Sequence, residues 1–304
     1  MKINDCINKS LKQVLFCENQ NIQDDQEFEF VADMFDDVGG KLVFVGNLKN
    51  SQIKFPEELV IPEVFEEKKV IAIGQLALAN SSIIKVTLPK TIEEIYQKAF
   101  SNCLKLEEIV GLDENVKAIG EEAFFNCRAL NEISLPKGIE TIPQSCFANC
   151  VSLTNVTIPE SVKTIGKHAF EKCTALKSIE TNAKTIGSQA FAFCSELESV
   201  KLSGISFIGN YAFNACKNLK ELVFSDSLDF IDNRAFYNCG SLKEVVIPDS
   251  TTVIGAGAFE ECGSLTDITL PSTVKVGDQA FGYCPLKKVN NLELPEVIIN
   301  MITR

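Results

Sequence analysis

A short pattern, Ala-Phe-x-x-Cys, recurs along most of this 304-residue chain with nearly constant spacing. Successive copies lie 21 to 24 residues apart, and alanine gives way to Cys146 in the third copy. The phenylalanines of the nine copies are Phe100, Phe124, Phe147, Phe170, Phe191, Phe213, Phe236, Phe259 and Phe281. A constant period in the twenties indicates one short structural unit stacked on itself. Such a stack has no single globular core, so the chain length does not imply two domains.

Each period carries further apolar positions in a fixed order, and one copy shows them as Leu153, Val156, Ile158, Ile165 and Gly166. The apolar alternation around the central aliphatic residue predicts a short strand, and the proline that often follows it would end the strand. We expect the glycine to provide a positive φ and Ala-Phe-x-x-Cys to form a single helical or 3₁₀ turn. Stacked in register, the strands would form a parallel sheet with about 4.8 Å between neighbours, and the phenylalanine rings would pack on one another.

This repeat resembles the BspA-like class of leucine-rich repeats over about residues 70–290. The resemblance implies a right-handed solenoid, with a parallel β-sheet on its concave face and short turns or 3₁₀ segments opposite. It also implies adhesion or partner binding, and a location on the cell surface.

The remaining segments predict the domain organisation. Residues 1–50 are expected to form an N-terminal cap, with a helix over residues 1–20 and a hairpin over residues 28–45 that turns at Gly39-Gly40. Residues 51–290 would form the solenoid of about ten coils. The first coil is degenerate, because Ala77-Leu78 stands in place of Ala-Phe. Residues 291–304 would form a C-terminal cap.

Charge and hydropathy exclude several classes of partner. The net charge of −12 disfavours nucleic acid, which selects clustered lysine and arginine, and it also disfavours anionic membranes. The sequence contains no apolar stretch long enough for membrane insertion, and residues 1–18 do not resemble a secretory signal. The sequence alone therefore favours the cytoplasm, whereas the family resemblance implies the cell surface. Because these two indications disagree, the compartment is left open, and the sequence carries no indication of the oligomeric state.

Nine of the twelve cysteines occupy one repeat position, which predicts a column of stacked thiols. Three interpretations stay open: a buried thiol ladder, an occasional disulfide, or a metal site. Stacked cysteines fit disulfide geometry poorly, and no Cys-x-x-Cys pair is present. Cys6, Cys17 and Cys146 deviate from the repeat position, and they are the candidates for unusual reactivity, with a buried structural role as the favoured alternative.

No catalytic constellation is found in the sequence, and we therefore predict a non-catalytic protein without cofactor or metal. The one histidine, His168, occupies a variable repeat position that is predicted to face solvent. No serine or cysteine is arranged with it as a nucleophile, and no phosphate-binding or dinucleotide-binding motif occurs.

The outward positions of the predicted strands form two columns that could bind a partner. One column ends in an acidic stripe, and the other places two exposed valines beside it. The candidate binding residues on the concave face are Glu180, Lys201, Glu221, Val223, Glu244, Val246 and Asp267. An acidic rim around an apolar pair suits a basic protein or a host surface protein. The protein is thus predicted to be an adhesin-like surface protein or a scaffold. The alternatives are that these are ordinary solubilising strand positions, and that the chain is a structural spacer.

Overall fold

A computed structural model describes residues 28–46 and 54–293 of the chain. The chain divides into two compact units, residues 1–32 and 33–304, and only residues 28–32 of the first are described. The predicted helix over residues 1–20 and most of the predicted C-terminal cap lie outside the described residues. The second unit is a β-solenoid of about ten turns built from parallel sheets, as the repeat predicted.

The second unit begins with a hairpin after a 3₁₀ turn at Ala32–Met34. Strands β1 (Phe35–Val38) and β2 (Lys41–Phe44) are antiparallel and turn at Gly39-Gly40, where both glycines have positive φ. Two consecutive residues with positive φ are typical of the type I′ hairpin turn. The turn lies where the sequence predicted it. The prediction of the first arm was wrong, because Phe28 and Phe30 precede the strand.

Each coil contributes two short strands, which we call the first strand and the second strand, numbered in chain order. The first strands carry the predicted alternating segment. They are β3 (Glu58–Val60), β6 (Lys85–Thr87), β8 (Glu108–Val110), β10 (Glu132–Ser134), β12 (Asn155–Thr157), β14 (Ser178–Thr181), β16 (Ser199–Leu202), β18 (Glu221–Phe224), β20 (Glu244–Val246), β22 (Asp267–Thr269) and β24 (Lys288–Val289).

The second strands contain the aliphatic residue, usually isoleucine, that glycine follows in most coils, and the sequence did not predict them as strands. They are β5 (Lys68–Ile73), β7 (Glu94–Ile95), β9 (Ala118–Ile119), β11 (Thr141–Ile142), β13 (Thr164–Ile165), β15 (Thr185–Ile186), β17 (Phe207–Ile208), β19 (Phe230–Ile231), β21 (Val253–Ile254) and β23 (Lys275–Val276). The remaining elements are β4 (Val64–Phe65), β25 (Leu292–Glu293) and one helical turn, α1 (Leu112–Asn115).

The two sets of strands form sheets of different continuity. The second strands β11 to β23 form one seven-stranded parallel sheet, and β2 joins β5 in the sheet that precedes it. The first strands instead form four separate groups, namely β3-β6-β8, β10-β12, β14-β16-β18 and β20-β22-β24-β25. The first-strand sheet is therefore parallel, as predicted, but it is interrupted three times.

The interior is a column of phenylalanine rings, which confirms the prediction of in-register stacking. From Phe100 to Phe281, consecutive rings lie 5.1 to 5.5 Å apart between centroids and within 13° of parallel. All nine rings are buried. Such spacing is typical of offset-stacked aromatic pairs, so each coil completes the burial of the ring in the coil before it.

The Ala-Phe-x-x-Cys segment consists of linked β-turns, so of the short turns or 3₁₀ segments predicted opposite the sheet the structure has the turns, and no helical turn forms in the segment around Phe147. Ser145 and Asn149, on either side of Phe147, both have left-handed φ, near +52° and +63°. Left-handed residues interrupt a helix and free alternate N–H groups for bonds between coils. The amide of Phe147 accordingly donates to the carbonyl of Ala169 in the next coil, at 2.8 Å. The turn side thus has its own hydrogen-bond ladder.

The glycine that follows the second strand is needed for close approach between coils, and its predicted positive φ was wrong. Gly120 and Gly255 are not among the residues with positive φ. A Cβ atom on Gly255 would lie 2.5 Å from the amide nitrogen of Asn233, and one on Gly120 would lie 2.4 Å from that of Gln97. Glycine at these positions therefore lets one coil pack directly on the backbone of the coil before it.

Candidate functional site

The predicted binding residues lie on the outward side of the first strands, a surface that we call the first-strand face. The pairing registers place Glu180 opposite Lys201, and Lys201 opposite Val223. Glu244 lies opposite Asp267. The side chains therefore form columns across the first strands of successive coils, as the strand prediction requires.

Glu221 is already engaged in contacts within this surface. The hydroxyl of Ser199 donates to its carboxylate at 2.6 Å, and the ammonium of Lys201 lies 3.3 Å away. The Ser199 hydrogen bond, followed by that of Lys201, holds the pKa of Glu221 below its usual value. The stripe therefore carries less free negative charge here than the sequence suggested.

Asp267, at the other end of the stripe, is also partly compensated. Its carboxylate accepts a 2.6 Å hydrogen bond from the hydroxyl of Thr266, and its partner in the next rung is Lys288. Sequence reasoning missed Lys288, because it lies in the shortened last repeat. Among these three acids, only Glu244 is exposed without a compensating contact in the described part of the chain.

The two valines are the most exposed apolar side chains of this surface. Val223 is 47% exposed and Val246 is 62% exposed. They lie on consecutive first strands, β18 and β20, but these strands belong to different groups of the interrupted sheet. The apolar pair therefore lies on both sides of a break, a feature that the repeat pattern alone does not contain.

A second break, between β12 and β14, contains a polar cleft of about 390 Å³. Asn155, Thr157 and Glu160 lie on the β12 side of the cleft, and Ser178, Glu180 and Asn182 lie on the β14 side. Only Glu180 of these six was among the predicted binding residues. The cleft itself could not be predicted from the sequence, because it exists only where neighbouring first strands separate.

The cysteines form the predicted thiol ladder in the described part of the chain. All ten described cysteines are free and buried. In each repeat the thiol donates to a carbonyl of the preceding coil, as Cys150 does to Phe124 at 3.2 Å. Burial raises the pKa of Cys150 to about 12 and that of Cys146 well above its usual value. Cys146 is therefore a buried thiol, which agrees with the structural alternative that the sequence left open, and Cys6 and Cys17 lie outside the described residues.

His168 is placed on the turn side and is half-buried. It has left-handed φ, and its Nδ1 lies 2.9 Å from Oε2 of Glu171. Across the described residues, no three histidine, cysteine, aspartate or glutamate side chains are grouped so that they could hold a metal ion. No helix in the described parts has the length and apolar character that crossing a membrane requires.

A cluster of aromatic and charged side chains on the turn side was not predicted. A guanidinium nitrogen of Arg234 donates to the hydroxyl of Tyr211 at 2.6 Å. The same group lies 5.7 to 5.8 Å from the ring centroids of Tyr211 and Tyr237, and 3.5 Å from the carboxylate of Glu260. Arg234 is thus satisfied by neighbouring coils, which indicates a structural role for the cluster.

The comparison with known families identifies the repeat. Together, the stacked coils and their parallel short strands define a leucine-rich repeat protein. A family profile described as "BspA type Leucine rich repeat region" matches six copies, over residues 55–177, 105–206 and 184–300. The chain belongs to this family, which confirms the resemblance seen in the sequence. The protein is a repeat scaffold of a protein-binding class that is typically non-catalytic.

Several solved structures are similar over most of the chain. A leucine-rich repeat protein from Bacteroides ovatus is 24% identical over 86% of this chain and 94% of its own, with a TM-score of 0.44. A leucine rich cell surface protein from Faecalibacterium prausnitzii is 23% identical over 92% and 98%, with a TM-score of 0.39. The Pneumococcal vaccine antigen PcpA is 20% identical over 86% and 88%, with a TM-score of 0.43. No curated protein matches the sequence.

Proposed function

We propose that this protein binds a basic protein partner through the first-strand face between Glu180 and Asp267. The observation that carries the proposal is the exposed pair Val223 and Val246, which lies between acidic residues on consecutive coils. Exposed valine at the centre of a rim of charged groups is the arrangement found in protein interfaces. The interface would have its apolar centre at these valines. Two of the acids around them, Glu221 and Asp267, already have contacts within the chain and would form the polar rim.

Electrostatics supports a basic partner. The net charge of −12 repels acidic proteins at long range. Glu244 stays uncompensated beside the valines, and Glu221 can exchange its contact with Lys201 for one with a partner. Complementary charge of this kind raises the association rate more than the affinity. Binding should therefore weaken as the salt concentration increases.

The test is a pull-down with the intact chain as bait, followed by charge reversal. A triple variant, Glu221→Lys, Glu244→Lys and Asp267→Lys, should lose its partner. A matched variant with three exposed acids outside the first-strand face reversed, Glu121→Lys, Glu196→Lys and Asp278→Lys, should retain the partner and has the same net charge.

Two results would contradict the proposal. If the first-strand variant captured every partner of the unaltered chain, the face would not be the binding surface. If the two variants lost the partner equally, net charge rather than this surface would control binding. A chain that functions as a spacer would show the first result. Localisation of the native protein would then separate an adhesin-like role on the cell surface from a scaffold inside the cell.

A further inference from the structure

The cleft between β12 and β14 lies where the first-strand sheet is open but the second-strand sheet is closed. On the second-strand side, β13 pairs with β15 and places Ile165 opposite Ile186. On the first-strand side, within the described residues, β12 pairs only with β10 and β14 pairs only with β16. The two coils are therefore paired along their second strands, whereas on the first-strand side the backbone bonds stop before the strands, where the amide of Lys177 donates to the carbonyl of Thr154 at 3.4 Å.

A difference in corner length coincides with this opening. Nine positions separate Val156 from Ile165, the two strand centres of one coil, but only seven separate Ile179 from Ile186 in the next. The shorter corner is held by Thr181, whose hydroxyl accepts a hydrogen bond from the amide of Ala183. Because the second coil turns earlier, the end of β14 takes a different path from the end of β12.

The facing strand edges leave backbone groups without ladder partners. The carbonyl of Thr157 accepts from the amide of Leu135, so the groups of Thr157 point toward β10. Because alternate residues of a parallel strand point to opposite neighbours, Val156 points its N–H and C=O toward the cleft. The carbonyl of Thr181 accepts from the amide of Ser203, so the backbone groups of Thr181 point toward β16. The N–H and C=O of the preceding residue, Glu180, therefore point toward the cleft. Unpaired backbone groups of this kind favour a ligand that can hydrogen-bond to them.

The side chains of the cleft are negative and have unused hydrogen-bonding capacity. Glu160 and Glu180 make no ion pair within the described residues, even though Lys201 lies opposite Glu180 in the register. Lys201 instead contacts Glu221 on the far side. The amides of Asn155 and Asn182 add further carbonyl oxygens. The cleft thus offers many acceptors and two negative charges, and no cation among its lining residues.

We propose that this cleft binds the guanidinium group of an arginine side chain presented by the protein partner. Guanidinium carries five N–H donors in one plane and pairs with carboxylates through two parallel hydrogen bonds, which matches a cleft that is rich in acceptors. A volume of about 390 Å³ lies within the range of roughly 300–1,000 Å³ that is usual for ligand sites. The inference rests on the proposed function, because it assigns one anchor residue to the basic partner.

The test uses three pentapeptides, Gly-Gly-X-Gly-Gly, in which X is arginine, citrulline or lysine. Each peptide is titrated into the full chain, and the amide signals of Val156, Ser178, Glu180 and Asn182 are followed by NMR. The arginine peptide should shift these signals saturably, the lysine peptide should bind more weakly, and the citrulline peptide should not bind. Citrulline has nearly the same shape as arginine without its charge.

Substitution of the two glutamates then tests whether the carboxylates of the cleft bind the arginine peptide. Glu180→Gln and Glu160→Gln should each weaken binding of the arginine peptide by about tenfold, which is typical of one lost charged hydrogen bond. Glu58→Gln, an outward carboxylate on the distant strand β3, should leave binding unchanged.

Several outcomes would overturn the inference. These are no saturable shift at the cleft, equal shifts with citrulline, equal loss in Glu58→Gln, or shifts with calcium chloride but not with the arginine peptide. The proposed function can fail separately. If the triple reversal at Glu221, Glu244 and Asp267 abolishes partner capture while the cleft variants retain it, only the arginine site is refuted.

Discussion

The two sheets of this solenoid are built from the same coils, but they differ in continuity. The second strands form two ladders, β5 to β9 and β11 to β23, whereas the first strands separate into four groups. The second strands are bounded by glycine positions where coils touch backbone to backbone, as at Gly255. The first strands precede corners of unequal length. Tight backbone contact accompanies continuous pairing on one side, and the other side, where the candidate binding surface lies, is interrupted; at the β12–β14 break a difference in corner length coincides with the interruption.

The repeat predicted the side-chain columns well. Phe100 to Phe281, the buried thiols and the first strands follow from a fixed spacing, because each apolar position must find its equivalent in the next coil. The second strands escaped detection because most contain only two residues, too few for an alternating pattern. Two left-handed positions of the turn side were also missed. One varies in identity, from His168 to Arg234, whereas the other is asparagine in several coils, as at Asn126 and Asn149, a residue that favours this conformation.

The candidate site was only partly predictable. The strand register gives the columns of Glu180, Lys201, Val223 and Val246 directly from the sequence. The breaks in the first-strand sheet depend on the backbone path of each corner, which cannot be read from one repeat unit. The Lys201–Glu221 contact and the polar cleft therefore emerge only when the coils are placed together.

The largest loss of stability is expected from disrupting the column of phenylalanine rings that both sheets share. Phe191→Ala removes a fully buried ring that is stacked between Phe170 and Phe213 at 5.1 to 5.2 Å. The free energy of unfolding should fall by about 3–5 kcal/mol. Chemical denaturation would measure it, with Lys184→Ala on the surface as the control. Equal midpoints for the two variants would show that the ring does not hold the coils together.

A smaller effect is expected from a methyl group placed between coils of the second-strand sheet. Gly255→Ala puts a Cβ 2.5 Å from the amide nitrogen of Asn233, and such overpacking typically costs about 1–3 kcal/mol. Gly263→Ala is the matched control, because a Cβ there would meet nothing within 4 Å. Thermal unfolding should separate the two variants. If both were neutral, close backbone contact would not explain the glycine.

Alkaline pH should weaken the thiol column that lies behind both sheets. The pKa of Cys150 is raised to about 12 in the folded chain, from an ordinary value of 9.0. Between these values the unfolded thiol loses its proton while the folded thiol keeps it. The unfolded state therefore binds fewer protons, and stability falls as pH rises above about 9. Denaturation midpoints at pH 7 to 10 would measure this, and Cys150→Ala should make the decline shallower. An identical decline in the variant would refute the assignment.

The smallest effect on stability is expected on the first-strand face. Lys201→Met removes the exposed contact with Glu221, and exposed ion pairs contribute little to stability. The denaturation midpoint should stay within experimental error of the unaltered chain. A clear decrease in the midpoint would show that this pair supports the fold rather than being available to a partner.

Residue-resolved amide hydrogen exchange tests the contrast between the two sheets most directly. The amide of Gly187 donates to the carbonyl of Ile165 across the same two coils that part at the cleft, whereas Val156 faces the opening without a ladder partner. Gly187 should therefore exchange slowly and Val156 rapidly, while Ile133, which is paired in the closed group β10-β12, should resemble Gly187. Equal protection at Val156 and Gly187 would mean that the first-strand sheet is closed, and it would contradict both the break and the cleft.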